Sequence, residues 1–170
     1  MKTVALLRGI NVGGHHRVSM PVLRQTLERL GLQSVQTYIQ SGNVVFAGQM
    51  QRPTLEAAFA QVFGFAVPIM LRSAVEWAEL IAANPYPLQA AADGTKVHLA
   101  LLDAEPGETA LAALRAVQSG ADEWVWLGRA LYLHTPDGLG NTRLNPDRLK
   151  VGVTTRNWRT VLRLGELAAE

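Results

Sequence analysis

Three observations predict an α+β fold built on antiparallel sheets. Over residues 2–72, short apolar strands alternate with segments of helical periodicity in the order β-α-β-β-α-β. Two turn signals, "SGN" at 41–43 and Gly128-Arg129, stand between runs of strand character, as hairpins require. After a stretch rich in proline and small residues, "NPYPLQAAADGT", the element order starts again. The expected architecture is two ferredoxin-like (split β-α-β) halves in tandem. One covers 2–83, a linker loop covers 84–95, and the second covers 96–170 and carries an extra C-terminal helix.

Lys2–Arg8 is apolar beyond its first residues and reads as a buried strand. Ser19 is placed to cap the next element, and Pro21 sits in its first turn, where a missing amide hydrogen is tolerated. Leu23, Leu27 and Leu30 recur at helical spacing until Gly31 ends the helix. "SVQTYIQ" alternates as a strand, Gly42 and Asn43 both tolerate positive φ in a tight turn, and "VVFAG" returns. Past Pro53 a second helix puts Leu55, Phe59, Val62 and Phe63 on one face and closes at Gly64. "FAVPIMLR" is a fourth strand whose Pro68 suits an edge or a bulge, and a third helix covers Ser73–Ala83.

In the second half "KVHLALL" is a strand, Glu108–Gln118 a helix, and "EWVWLGRALYLHT" a hairpin. Asn141–Lys150 and Thr155–Ala168 read as two further helices, so the echo is one strand short of the first half. Trp124 and Trp126 share one face of their strand, and burial is expected for both.

Composition narrows the function classes. The 170 residues are 48% hydrophobic and 18% charged, enough apolar content for a sizeable core. The absence of cysteine excludes disulfides, thiolate nucleophiles and cysteine-ligated metals. His15, His16, His98 and His134 lack metal-ligand spacing, so neither a metal nor a cofactor is expected. His98 alternates with apolar neighbours and reads as structural. The apolar run before Arg8 is short and no stretch approaches membrane-spanning length, which points to a cytoplasmic protein with no membrane partner.

The formal net charge of +2 hides a segregated pattern. Residues 1–31 set Lys2, Arg8, Arg17, Arg24 and Arg29 against Glu28 alone, and residues 139–163 set six cations against Asp147 alone. The acidic residues concentrate between them. A cationic face suits phosphate.

The stretch "LLRGINVGGHHRVSM" sends an apolar strand through Gly9, Gly13 and Gly14 into a helix start. Such a loop can turn backbone amides inward as an anion nest, with Arg8 and Arg17 adding charge. It is neither a nucleotide-hydrolase phosphate loop nor a dinucleotide fingerprint. In "VTTRNWRTVLRLGEL", Thr154 or Thr155 can cap the last helix, and Arg156, Arg159 and Arg163 at i, i+3 and i+7 line one face. Arginine in a first helical turn opposes the helix dipole unless an anion offsets it. Arg143 repeats the theme after Gly138 and Gly140. Asp137 and Ser41 read as turn residues, and Ser41 lacks the G-x-S-x-G frame of a hydrolase nucleophile.

"LLRGINVGG", "YIQSGNVVF", "NPYP", "LYLHTPDGLG" and "TTRNW" followed by Thr160-Val161 resemble, in that order, the signatures of the family catalogued as domain of unknown function 1697. The resemblance runs from Leu6 to Leu164 and implies a bacterial protein of two ferredoxin-like halves with no established activity. The chain departs from the family at His15-His16-Arg17, where lysine or asparagine is usual, at Thr142-Arg143 in place of Ser-Lys, and at Arg159 in place of asparagine. Each change favours arginine, which forks onto phosphate and does not donate a proton at ordinary pH.

These features give the expectation of a phosphate-bearing ligand, nucleic acid or nucleotide, held by Arg8, Asn11, Gly13, Gly14, Arg17, Arg143, Arg156, Asn157 and Arg159. In that expectation Asn11 and Asn157 orient a base or sugar. The competing expectations are an enzyme on a phosphorylated small molecule with His15 or His16 as acid–base group, and a regulatory domain docking an acidic protein.

Overall fold

The structure is a computed structural model that describes residues 1–170. The chain divides into two compact units, Met1–Glu79 with Arg163–Glu170, and Leu80–Leu162. In the first unit the elements run β1 (Lys2–Leu7), α1 (Met20–Arg29), β2 (Gln33–Tyr38), β3 (Asn43–Ala47), α2 (Arg52–Phe63) and β4 (Ile69–Ser73). Its antiparallel sheet has the order β2-β3-β1-β4, with Ala5 opposite Val44 on one side and Leu71 on the other.

Local chemistry explains the helix ends. Ser19 Oγ accepts from Val22 N at 3.5 Å and starts α1, with Pro21 in its first turn. Gly64, left-handed at φ 80°, closes α2. Leu23 and Leu27 of α1, with Leu55 and Phe59 of α2, pack on Ala5, Leu7, Val44, Phe46 and Ile69 to form one apolar cluster. Helix α3 (Ala74–Ala82) follows β4 without a loop. Ser73 N donates to Glu76 Oε2 at 2.7 Å, while Glu76 N donates to Ser73 Oγ at 3.2 Å, a reciprocal capping box.

The β2–β3 turn differs from the expected Gly42-Asn43 turn. Positive φ falls on Ile39 and Gly42, while Asn43 is a fully buried first residue of β3. Asn43 Nδ2 donates to Tyr38 O and to Ser41 Oγ, both at 2.9 Å, so the side chain spans the turn instead of shaping its backbone. Gly42 is required by space as well as by φ, because a Cβ there would stand 2.8 Å from Leu7 Cβ and from Ile10 Cδ1.

The second unit holds α4 (Pro87–Ala92), β5 (Val97–Leu102), α5 (Glu108–Arg115), β6 (Glu123–Leu127), β7 (Ala130–His134) and β8 (Val153–Asn157), and α6 (Trp158–Ala169) starts within it. Three expectations change here. The stretch 84–95, expected as a linker loop, contains α4, because Pro87 presets a helix start for the helix-forming run Leu88–Ala92. The helix expected over 141–150 is two 3₁₀ turns, Leu139–Asn141 and Pro146–Leu149. Pro146 disfavours helical backbone at Asn145 and lacks the amide needed to continue a ladder.

The third change is the largest. Val153–Asn157 is a strand rather than the start of a helix, paired antiparallel with β5 from His98↔Asn157 to Leu102↔Val153. Its β-branched Val153, Thr154 and Thr155 suit a pleated ladder. The sheet order β6-β7-β5-β8 therefore repeats β2-β3-β1-β4, and the second half is complete in strands. Its second helix is replaced by the 3₁₀ turns, and Leu144 and Leu149 still reach the cluster of Ala100, Leu111, Leu114, Leu131 and Leu133. Trp124 and Trp126 pack half-buried against that cluster.

Candidate functional site

The glycine-rich loop after β1 is an ordered small hairpin. Val12 and His15 form an isolated antiparallel bridge, closed by His15 N donating to Val12 O at 3.0 Å. Gly13 and Gly14, at φ 58° and 77°, are its central residues, the signature of a type I′ turn. Positive φ recurs along the loop at Gly9, Asn11 and His16 as well.

Asn11 anchors this hairpin. Its Oδ1 accepts from Val18 N at 2.9 Å, and its Nδ2 donates to Val18 O at 3.1 Å and to Gln40 O at 2.7 Å. Both amide hydrogens are consumed by backbone. Asn11 thus positions the loop and ties it to the β2–β3 turn.

The anchoring leaves a groove of about 540 Å³ lined by Asn11, Gly14, Arg17, Val18, Ser19 and Gln40. Arg17 is exposed and is the one charged side chain in this lining. The groove lies at the start of α1, whose first turn contains no acidic residue. Pro21 has no amide hydrogen and the Val22 amide is taken by Ser19 Oγ, so charge here comes mainly from Arg17 and the helix dipole. Gln40 and Ser19 are groove residues that spacing does not reveal, because Gln40 arrives through the Asn11 bond from the far side of a hairpin.

Among the other expected residues of the first unit, Arg8 and Gly13 are exposed and lie outside the groove lining. The His16 ring stacks on Phe65 with centroids 4.3 Å apart and planes within 10°. That packing fixes the ring against an aromatic wall.

Arg143, Arg156, Asn157 and Arg159 belong to the second unit. Arg143 is exposed between the two 3₁₀ turns. Arg156 is on β8, not on a helix, so Arg156, Arg159 and Arg163 do not form the expected stripe. Its Nη1 donates to Thr155 O at 2.9 Å, and burial pulls the guanidinium down to about 10. Asn157 caps α6, its Oδ1 accepting from Thr160 N at 3.0 Å, the role expected of Thr154 or Thr155. Arg159 is exposed in the first turn of α6 and, with Lys96, helps hold the Asp93 carboxyl below its ordinary value behind the larger effect of Thr95 hydrogen bonds.

Two four-stranded antiparallel sheets of matching order, each with flanking helices, define the class: a tandem of ferredoxin-like α+β units. The chain belongs to the DUF1697 family, whose model, described as a protein of unknown function, matches residues 1–132. A conserved bacterial protein from Streptococcus pneumoniae has the same fold, with a TM-score of 0.77 over 98% of both chains at 24% sequence identity. No curated protein matches the chain. No helix is long and apolar enough to cross a membrane.

Proposed function

We propose that the protein is a cytoplasmic bacterial binding protein for a phosphate-bearing ligand, nucleotide or nucleic acid, and that the Arg17 groove is its entry point. The observation that carries this reading is a groove of about 540 Å³ whose one charged lining side chain is an exposed arginine at an acid-free helix start. That volume is within the range of small-molecule sites. Ser19 and Gln40 give the groove polar walls for sugar or base edges, while Asn11 holds the loop in place. Arg17 supplies the forked donor that suits phosphate.

Fluorescence anisotropy with labelled single- and double-stranded oligonucleotides at several salt concentrations tests the nucleic-acid form, and a thermal-shift panel of nucleotides and sugar phosphates tests the small-ligand form. Arg17→Ala is expected to weaken binding by about tenfold or more, the loss of one charge-assisted hydrogen bond. A linear fall of log affinity with log salt counts the phosphates engaged. Unchanged binding in Arg17→Ala removes the groove from the site. The double variant Arg156→Ala, Arg159→Ala reports whether the second unit contributes: full binding in a stable double variant excludes these two arginines.

A further inference from the structure

Four buried side-chain atoms lack a hydrogen-bond partner: Gln36 Oε1, His98 Nδ1, Thr135 Oγ1 and Thr154 Oγ1. Two of them, on His98 and Thr135, share one face at one corner of the second sheet. Residues directly opposite each other in an antiparallel ladder share a face. Thr135 N donates to Lys96 O at 2.8 Å and extends the register Val97↔His134, which places Thr135 across from Lys96. His98 lies two residues along β5 and so faces the same way, opposite Leu133 on β7 and Asn157 on β8.

This corner continues the face that carries the second apolar cluster, beyond Ala100 and Leu133. His98 is 6% exposed and Thr135 0%. Burying such atoms unpaired is unfavourable, and native proteins pair nearly all of them with protein, water or ligand.

The surroundings select the ligand. The Lys96 ammonium borders Gly138, where a Cβ would stand 3.6 Å from Nζ. Gly138 N closes the turn onto Thr135 O at 2.9 Å, so bare backbone passes beside the cation. The neighbouring acid, Asp93, is engaged by Thr95 N at 2.9 Å and Thr95 Oγ1 at 2.6 Å, and Arg159 counters its charge. Burial, assisted by Lys96, pushes the His98 imidazole down to about 4, so at neutral pH the ring is uncharged and offers one donor and one acceptor. An ammonium, a hydroxyl and an imidazole N–H are three donors with little competing for them.

We propose that Lys96, His98 and Thr135 form a binding site for a compact oxyanion, the carboxylate or phosphate group of a ligand. The site stands on residues of the second unit alone and does not depend on the Arg17 groove.

Ring-nitrogen NMR of His98 tests it, with the resonance assigned by its loss in His98→Gln. The full-length protein is titrated at pH 7 with sodium phosphate and, separately, with sodium acetate, against sodium chloride at equal ionic strength. A saturable shift of the His98 nitrogens is expected with at least one oxyanion and not with chloride. Saturation by phosphate alone assigns a phosphate ligand, and by acetate alone a carboxylate. Lys96→Met and Thr135→Val are each expected to weaken the response by about tenfold, consistent with loss of a charge-assisted or buried hydrogen bond. Thr135→Ser and Lys96→Arg keep the donors and should keep the response, while Arg17→Ala should leave it unchanged. No saturable shift with either oxyanion, or a response untouched by Lys96→Met and Thr135→Val, overturns the site and leaves an internal water as the partner of His98.

Discussion

Asn11 combines two costs in one residue: it sits at φ 54°, and it commits its whole amide to backbone. Left-handed backbone costs an ordinary L-residue about 1–2 kcal/mol, and asparagine tolerates it best among residues with a side chain. Replacing it by alanine removes three hydrogen bonds and keeps the strained φ. Asn11→Ala is therefore expected to destabilise the protein by about 2 kcal/mol, read as a lower urea midpoint. Asn11→Gly loses the same bonds but relaxes the backbone, and should be about 1 kcal/mol less damaging than alanine. Equal losses in the two variants would show that φ at this position carries no strain. Because the groove is shaped by this clamp, both variants should weaken a ligand of the Arg17 groove without removing its charge.

At the scale of elements, β8 shows what local pattern does and does not reveal. Ser19 acts through its side chain on the next turn, and Pro21, Gly31, Pro53 and Gly64 through their own backbones, so α1 and α2 are visible in the sequence at both ends. The β8–α6 junction is decided by pairing with β5, fifty-odd residues earlier, and by a cap that only geometry distinguishes from its threonine neighbours. Helical spacing of Arg156, Arg159 and Arg163 continues across that junction and conceals it. The Arg17 groove was legible as a basic glycine loop, whereas the corner at His98 was not, because strand alternation makes a buried histidine look like core. Asn157→Ala should cost about 1 kcal/mol through loss of the α6 cap. Thr154→Val should be neutral or stabilising, since Thr154 Oγ1 is buried without a partner. Thermal unfolding of the two variants separates the assignments, and the opposite ranking would return the cap to the threonine.

Across the whole molecule, pH resolves which ionisable groups the fold holds away from their ordinary state. His98 is held neutral by burial, with its pKa near 4 against about 6.5 in an unfolded chain. Above pH 6.5 both states carry a neutral ring and its contribution to stability is fully present. As pH falls toward 4 the unfolded chain takes a proton that the folded chain refuses, so stability is lost across that window. Asp93, whose pKa is lowered chiefly by Thr95, acts in the same direction but only below the ordinary carboxylate value of 3.8. Tyr86 and Tyr132, pushed up to about 12, and Arg156, pulled down to about 10, stay protonated throughout. Among these displaced groups the acid window from 6.5 to 4 therefore belongs to His98, and the expected loss across it is about 3 kcal/mol. The same location dictates the probe: Trp124, Trp126 and Trp158 lie with His98 in the second unit, and Trp77 lies in the first. Tryptophan fluorescence followed in urea, in chloride buffer at pH 7.5 and 4.5, weights the second unit and should show a shallower pH dependence in His98→Gln than in the parent. Parallel profiles for the two proteins would mean that the folded state accepts the proton, and that the ring is already hydrated or paired with an acid.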